Sequence, residues 1–209
     1  FPRDIWQWSI QYRRCYIDHP VPEGSGFVAT YHLQVEPDAV EQLRPSLALA
    51  LERPWLYQVA VNSHAVSYAD APRWFDEDIR KSPIGRWIHA GDNAITLTAN
   101  PFQTLCELAP AYVLGDFALN ARDVGFSLAP PRPLTLGDIT KQGAPFYPWG
   151  VCYQTKLTLQ TPADGLRLRL GDFAGSAVRV RLDDQDVGCV LWPPYELDLQ
   201  DRIAAGPHT

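Results

Sequence analysis

The 209-residue chain contains no methionine, no long apolar run and no strongly basic segment. A helix needs roughly 20 consecutive apolar residues to cross a bilayer, and since no such stretch occurs we expect no membrane partner. The net charge of −6 argues against the positive surface that nucleic-acid binding requires, so no nucleic-acid partner is expected either. Because even the first residue is not methionine, we expect the chain to belong to a longer polypeptide.

The sequence also lacks the short motifs of metal and cofactor sites. Its four cysteines have no redox or zinc-site spacing, its five histidines show no HExxH pattern, and its glycines form no phosphate-binding loop. We therefore predict neither a metal nor a cofactor. Two interpretations of the thiols stay open, namely free buried cysteines or a bridge between Cys152 and Cys189. The cysteines are Cys15, Cys106, Cys152 and Cys189.

Apolar and polar residues alternate with a period of two along much of the chain, which is typical of half-buried β-strands. Turn sequences rich in Asp, Gly and Pro separate these stretches. A short helix could form only at 37–46 and 80–88. The pattern predicts an all-β fold of antiparallel sandwiches with little helix. The main alternating segments are 27–35, 151–160, 166–170, 178–182 and 195–199.

The two halves of the chain align as a weak internal repeat. VAVNSHAV in the first half matches VRLDDQDV in the second, which aligns Asn62 with Asp183, and HAGDNA matches AAGPHT. We predict two tandem β-sandwiches, one over 1–105 with an N-terminal extension and one over 106–209. After the matched segment HAGDNA the first copy continues into ITLTAN, whereas the second copy stops at the end of its matched segment, Thr209. The second sandwich is therefore expected to lack its last strand.

Several longer motifs stand out in both halves. The first half contains a YxLxV strand, a WFDxDI segment and a GDNAITL segment. The second contains YVLGDFAL at 112–119, LTLGDITKQGAPFYPWGVCYQTKLTL at 134–159 and WPPYELDL at 192–199. The motifs of the first half resemble the sugar-binding jelly-roll domain of glycoside hydrolase family 2 and its relatives. Those of the second half are similar to the accessory galactose-binding-like domains of large bacterial glycosidases, and the resemblance spans residues 27 to 209.

This resemblance implies two jelly-roll sandwiches that form a non-catalytic accessory region of a multidomain bacterial glycoside hydrolase. The implied partners are a carbohydrate and the catalytic domain of the same longer polypeptide. It implies a soluble protein and leaves secretion, the periplasm and the cytoplasm open. Two other functions stay open: a structural module that docks on a catalytic domain or subunit, and a fragment that contributes residues to a glycosidase active site.

Aromatic side chains are the best candidates for a carbohydrate site, because the C–H face of a sugar packs on a ring. Phe146, Tyr147 and Trp149 lie in one loop, and Trp55 is a rival candidate. These loop rings could bind a ligand or could plug the end of a sandwich core. We favour the plug for Phe146 and Tyr147 and ligand contact for Trp149. The aromatic residues expected to be covered in a core or between domains are Tyr153, Trp192 and Tyr195.

The purified chain is expected to hydrolyse no glycoside, because the sequence contains no recognisable pair of catalytic carboxylates, no metal motif and no nucleophile motif. Release of nitrophenol from aryl glycosides measures this, with a mock purification as the control. Turnover that persists through purification and disappears on substitution of one carboxylate would contradict the prediction.

Overall fold

The computed structural model describes residues 13, 14, 18, 21–108, 110–161, 165–171, 173–199 and 203–209. Strands predominate in this part of the chain, and its α-helix is the single turn α1 at Val40–Leu43. The predicted all-β fold class is therefore confirmed, while the jelly-roll topology stays a prediction. Within the same residues no helix is both long enough and apolar enough to span a bilayer. The predicted N-terminal extension lies largely outside the described residues.

Two sheets form the first half of the structure. Their strands are β1 (Phe27–Val35), β2 (Ala48–Glu52), β3 (Gln58–Val61), β4 (His64–Ala65), β5 (Arg73–Trp74), β6 (Asp76–Pro83), β7 (Gly91–Ala99), β8 (Tyr112–Leu114), β9 (Ala118–Ala121) and β10 (Phe126–Ala129). One sheet has the order β4-β3-β7-β1-β10-β9 and the other the order β5-β6-β2-β8. Short 3-10 turns follow β2 and β6, at Pro54–Leu56 and Gly85–Trp87.

The chain divides into two compact units, Phe1–Tyr147 and Pro148–Thr209, here called the first and the second unit. The boundary predicted between residues 105 and 106 does not coincide with this division. The reason is strand pairing, because β8 joins β2 in antiparallel fashion and β10 joins β1 in parallel. Residues 112–129 thus complete the sheets of the first unit.

Side chains from both sheets of the first unit form one buried cluster, as in a β-sandwich. Along β7 the buried residues alternate with half-exposed ones, and Ile95 and Leu97 point into the cluster. From the other sheet, Leu49 and Leu51 of β2 join the same cluster. Each fully buried aliphatic side chain contributes about 1.5–3 kcal/mol, so this cluster is the main source of stability of the unit.

The second unit is described as three antiparallel strand pairs. They join β11 (Leu157–Leu159) to β16 (Gly206–His208), β12 (Arg167–Arg169) to β15 (Glu196–Asp198), and β13 (Val178–Leu182) to β14 (Gln185–Val190). The strand predicted over 151–160 is observed only at Leu157–Leu159, because its partner β16 offers three residues for pairing. Tyr153 and Trp192 are exposed, contrary to expectation, whereas Tyr195 is half-buried.

Both units contain a two-residue hairpin turn at the positions that the repeat aligns. Asn62 and Ser63 have φ angles of 48° and 67°, and Asp183 and Asp184 have φ angles of 48° and 66°. Positive φ at both central residues defines the type I′ turn, whose twist suits the strands of a hairpin and which favours Asn and Asp. The alignment of Asn62 with Asp183 agrees with this shared backbone conformation.

In each unit the first residue of this turn is bonded to a residue near the end of the aligned segment. The N–H of Asn62 donates to Ala94 O, and the N–H of Ala94 donates to Asn62 Oδ1, both at 2.9 Å. Asp183 and Thr209 form the same two bonds at 2.8 and 2.9 Å. The match of HAGDNA with AAGPHT therefore reflects a shared hydrogen-bond pattern.

Asn93 completes this arrangement in the first unit, where its side chain is fully buried. Its Oδ1 accepts from Asn62 Nδ2 at 2.8 Å and from the N–H of His89 at 3.0 Å. Its Nδ2 donates to the carbonyls of His89 and Gly91, at 2.8 and 3.0 Å. One amide thus connects the β3–β4 turn to the start of β7.

Replacement of Asn93 by Leu should destabilise the first unit by about 2–4 kcal/mol, because it leaves buried donors and acceptors without partners. Urea unfolding of the variant and of the wild type measures the difference. Gln58→Ala, at an exposed position of β3, is the control and should stay within about 0.5 kcal/mol of the wild type. A loss below about 1 kcal/mol in Asn93→Leu would contradict the role of this amide.

Candidate functional site

A groove of about 540 Å³ lies in the first unit, and we call it the Trp55 groove. The turn after β2, the loop between β4 and β5, and strand β6 line it. Its lining residues include Trp55, Tyr57, Tyr68, Asp70 and Arg80. Aromatic rings and ionic groups therefore meet on one concave surface.

Two tyrosines of the groove are held by hydrogen bonds to the main chain. The Tyr68 hydroxyl donates to Leu49 O at 3.0 Å. The Tyr57 hydroxyl donates to Glu107 O and accepts from the N–H of Glu107, both at 2.9 Å. Burial raises the pKa of both phenols, so each stays protonated at neutral pH. The two rings form a fixed wall whose hydroxyls are already bonded.

Trp55 is presented by the 3-10 turn that follows β2. Arg53, just before this turn, has a left-handed backbone with a φ of 44°. Its N–H donates to Asp78 O at 2.8 Å, and its Nε donates to Asp78 Oδ2 at 3.0 Å. Pro54 then restricts the first turn position. The result is a well-anchored turn whose Trp55 side chain is 57% exposed.

Arg80 and Asp70 supply the ionic groups of the groove. Neither side chain forms an ion pair or a hydrogen bond with another residue in the described part of the chain. A guanidinium offers five donors in a fixed plane, and a carboxylate offers only acceptors. Next to the exposed ring of Trp55, this pair can bind a ligand that has both an apolar face and hydroxyl groups.

A second cleft of about 530 Å³ lies where β1 meets β9 and β10. Glu36 Oε1 accepts from Asn120 Nδ2 at 2.7 Å and from Ser127 Oγ at 2.8 Å. These two bonds lower the pKa of Glu36, so its carboxylate is ionised at neutral pH. Because β1 and β10 pair over only two residues, we interpret this cluster as a structural link between the strands.

Of the four aromatic candidates from the sequence, Trp55 lines a groove. Phe146 and Tyr147 are exposed in the first unit, and the ring of Phe146 contacts Phe126 edge-on, with centroids 5.1 Å apart. Trp149, in the second unit, is 58% exposed. A ring that plugs a sandwich core would be buried, and none of the three loop rings is. Sugar contact at these rings stays a prediction.

Other residues of the groove escaped the sequence analysis. Asp70 follows Tyr68 in the loop VSYADAP, where an aromatic and an acidic residue before a proline gave a weak signal. Arg80 lies in β6 and gave no signal, because its place in the groove depends on which strands pair.

Within the described residues no group of three or more His, Cys, Asp or Glu side chains is placed to hold a metal ion. Cys106, Cys152 and Cys189 are free thiols, so the alternative bridge between Cys152 and Cys189 is not formed. Cys106 is buried as expected, whereas Cys152 and Cys189 are exposed. Cys15 lies outside the described residues.

Comparisons with protein-family models, curated proteins and solved structures find no match for this chain. The resemblance to accessory domains of glycoside hydrolases therefore rests on the sequence motifs. The chemistry of the Trp55 groove rests on its own side chains and does not depend on that resemblance.

Trp149→Ala should lower the melting temperature by only about 4 °C or less, because an exposed ring contributes little to a core. Truncation of a buried aromatic residue costs about 3–5 kcal/mol, and each kcal/mol corresponds to roughly 2–4 °C in a chain of this size. Leu199→Ala, at a buried position of the same unit, is the comparison and should cause a larger drop. A drop above about 10 °C for Trp149→Ala would indicate a buried ring.

Proposed function

We propose that the chain is a non-catalytic carbohydrate-binding β-sandwich region and that the Trp55 groove is its sugar site. The observation that carries the proposal is the combination, on one groove, of an exposed indole with the side chains of Arg80 and Asp70, which pair with no other described residue. Its volume of about 540 Å³ falls within the range of roughly 300–1,000 Å³ that is typical of small-molecule sites. One or two sugar rings are a suitable occupant.

The chemistry of a sugar matches these groups one by one. The C–H face of a pyranose packs on the indole of Trp55, and this contact releases water from two apolar surfaces. The guanidinium of Arg80 donates to neighbouring hydroxyl oxygens, while the carboxylate of Asp70 accepts from hydroxyl hydrogens. Because the hydroxyls of Tyr57 and Tyr68 are bonded to the main chain, their rings shape the groove without competing for these bonds.

We further propose that this region serves a multidomain glycoside hydrolase as an accessory part, with a carbohydrate and a catalytic domain as its partners. The motif resemblance over residues 27 to 209 supports this assignment. In that role the groove would keep the polypeptide close to its polymeric substrate, and hydrolysis would take place on the catalytic domain.

The second candidate function is an interaction module that docks on a catalytic domain or subunit. An exposed aromatic group in the first unit favours it, since the ring of Trp74 lies 6.2 Å from that of Phe75 and 5.6 Å from that of Tyr112. Phe75 is 83% exposed and has a φ of 65°, a strained backbone for a bulky residue. Exposed aromatic groups and strained backbone are both typical of interaction surfaces.

Trp55→Ala and Arg80→Gln should each weaken glycan binding about tenfold or more, which corresponds to roughly 1.4 kcal/mol. Affinity gel electrophoresis against soluble polysaccharides identifies a ligand, and calorimetry then gives the dissociation constants. Trp192→Ala is the matched control, because it removes an exposed indole outside the groove. Thermal melts of all variants should resemble that of the wild type.

The experiment can contradict the location of the sugar site and the carbohydrate function separately. Unchanged affinity in both groove variants, with glycan binding by the wild type, would place the sugar site elsewhere. Failure of the wild type to bind any glycan, with retention of a catalytic partner on a column, would overturn the carbohydrate function and favour the docking module.

A further inference from the structure

The hydrogen bonds between each hairpin turn and its aligned segment are here called the turn anchor. The turn anchor contains two asparagines in the first unit and an aspartate with a histidine in the second. Asn62 Nδ2 donates to Asn93 Oδ1 at 2.8 Å. At the aligned positions, His208 Nδ1 lies 2.7 Å from Asp183 Oδ2. The amide pair has no titratable group, whereas the second pair has two. Protonation can therefore change the side-chain pair itself in the second unit but not in the first.

His208 matches Asn93 in structure as well as in the sequence alignment. Each is the third residue of its strand, β7 or β16. Each side chain also reaches back to the carbonyl four residues earlier. Asn93 Nδ2 donates to His89 O at 2.8 Å, and His208 Nε2 lies 2.9 Å from Ala204 O. The two anchors thus share their strand position and their contacts.

Both ring nitrogens of His208 face acceptors, the carboxylate of Asp183 and the carbonyl of Ala204. A neutral imidazole has a single N–H and can donate to one of them, while an imidazolium donates to both. The side chain of His208 is 11% exposed and that of Asp183 is 50% exposed, so water reaches the carboxylate more easily than the ring. The geometry is satisfied in full only by the protonated ring.

Among the described residues, Asp183 is the charged group that acts on His208. Asp183 faces it from the β13–β14 turn, and the next residue, Asp184, pairs with Arg181 at 3.3 Å. The residue opposite His208 in β11 is apolar, and the main-chain O of Thr209 accepts from the N–H of Asp183. The bond between the two side chains is the main cause that raises the pKa of His208 and lowers that of Asp183.

We propose that residues 203–209 form a pH-sensitive latch, which the imidazolium of His208 holds on the β13–β14 turn and which loosens when the ring loses its proton. Since the pKa of His208 is raised above its usual 6.5, this stabilisation is fully present below pH 6.5 and disappears as pH rises through the raised value. The pKa of Asp183 is lowered from 3.8, so its contribution disappears only below that pH.

Amide exchange measured by NMR tests the latch with an internal control. The N–H of Thr209 bonds to Asp183 Oδ1, and the N–H of Ala94 bonds to Asn62 Oδ1. After correction for intrinsic exchange, the protection factor of Thr209 should fall between pH 5.5 and pH 8.5. The fall is expected to be about tenfold for each unit by which the pKa of His208 is raised. The protection factor of Ala94 should stay constant.

A double variant, Asp183→Asn with His208→Asn, installs the amide pair of the first unit in the second. In this variant the protection factor of Thr209 should no longer depend on pH. An equal fall at Thr209 and Ala94 in the wild type, or the same fall in the double variant, would overturn the proposal. The NMR titration of the His208 ring provides a test that needs no variant, because a pKa at or below 6.5 contradicts the latch.

Discussion

The sandwich of the first unit depends on the hydrogen bonds between the Asn62 turn and the start of β7. Positive φ at Asn62 and Ser63 closes the β3–β4 hairpin with the twist that its strands require. The side chain of Asn62 then bonds to the main chain of Ala94 and to the amide of Asn93. Because β7 pairs with β3 on one side and with β1 over nine residues on the other, this one contact helps to set the register of three strands.

Register also decides which side chains line the Trp55 groove. The N–H of Ile84 donates to Leu47 O. Four residues before Ile84, Arg80 of β6 lines the groove. In the second unit the N–H of Leu199 donates to Leu166 O, and Tyr195 stands four residues before Leu199. The ring of Tyr195 packs edge-on against Phe173, with centroids 4.7 Å apart. The second unit thus has an aromatic contact at this place, whereas the first unit has a guanidinium that lines the groove.

The sequence predicts those parts of the structure that depend on local pattern. Period-two alternation identifies the all-β class, and aligned Asn and Asp residues identify the two turns. It does not identify strand partners, so the pairing of β8 and β10 with the first unit and the short β11 were missed. The groove was only partly predicted for the same reason. Trp55 is a candidate from the sequence alone, whereas the placement of Asp70 and Arg80 on one groove requires a loop and a strand to come together.

The two turn anchors show why a change of one partner requires a change of the other. Asp183 keeps the acceptor that bonds the main-chain N–H of Thr209, as Asn62 does for Ala94. The other carboxylate oxygen of Asp183, Oδ2, is an acceptor where Asn62 has the donor Nδ2. An asparagine at position 208 would therefore direct its own oxygen either toward this carboxylate or toward Ala204 O. A protonated imidazole donates in both directions and removes this conflict. The backbone geometry is thereby shared by the two units, and sensitivity to pH is the chemical consequence of reversing the donor and the acceptor.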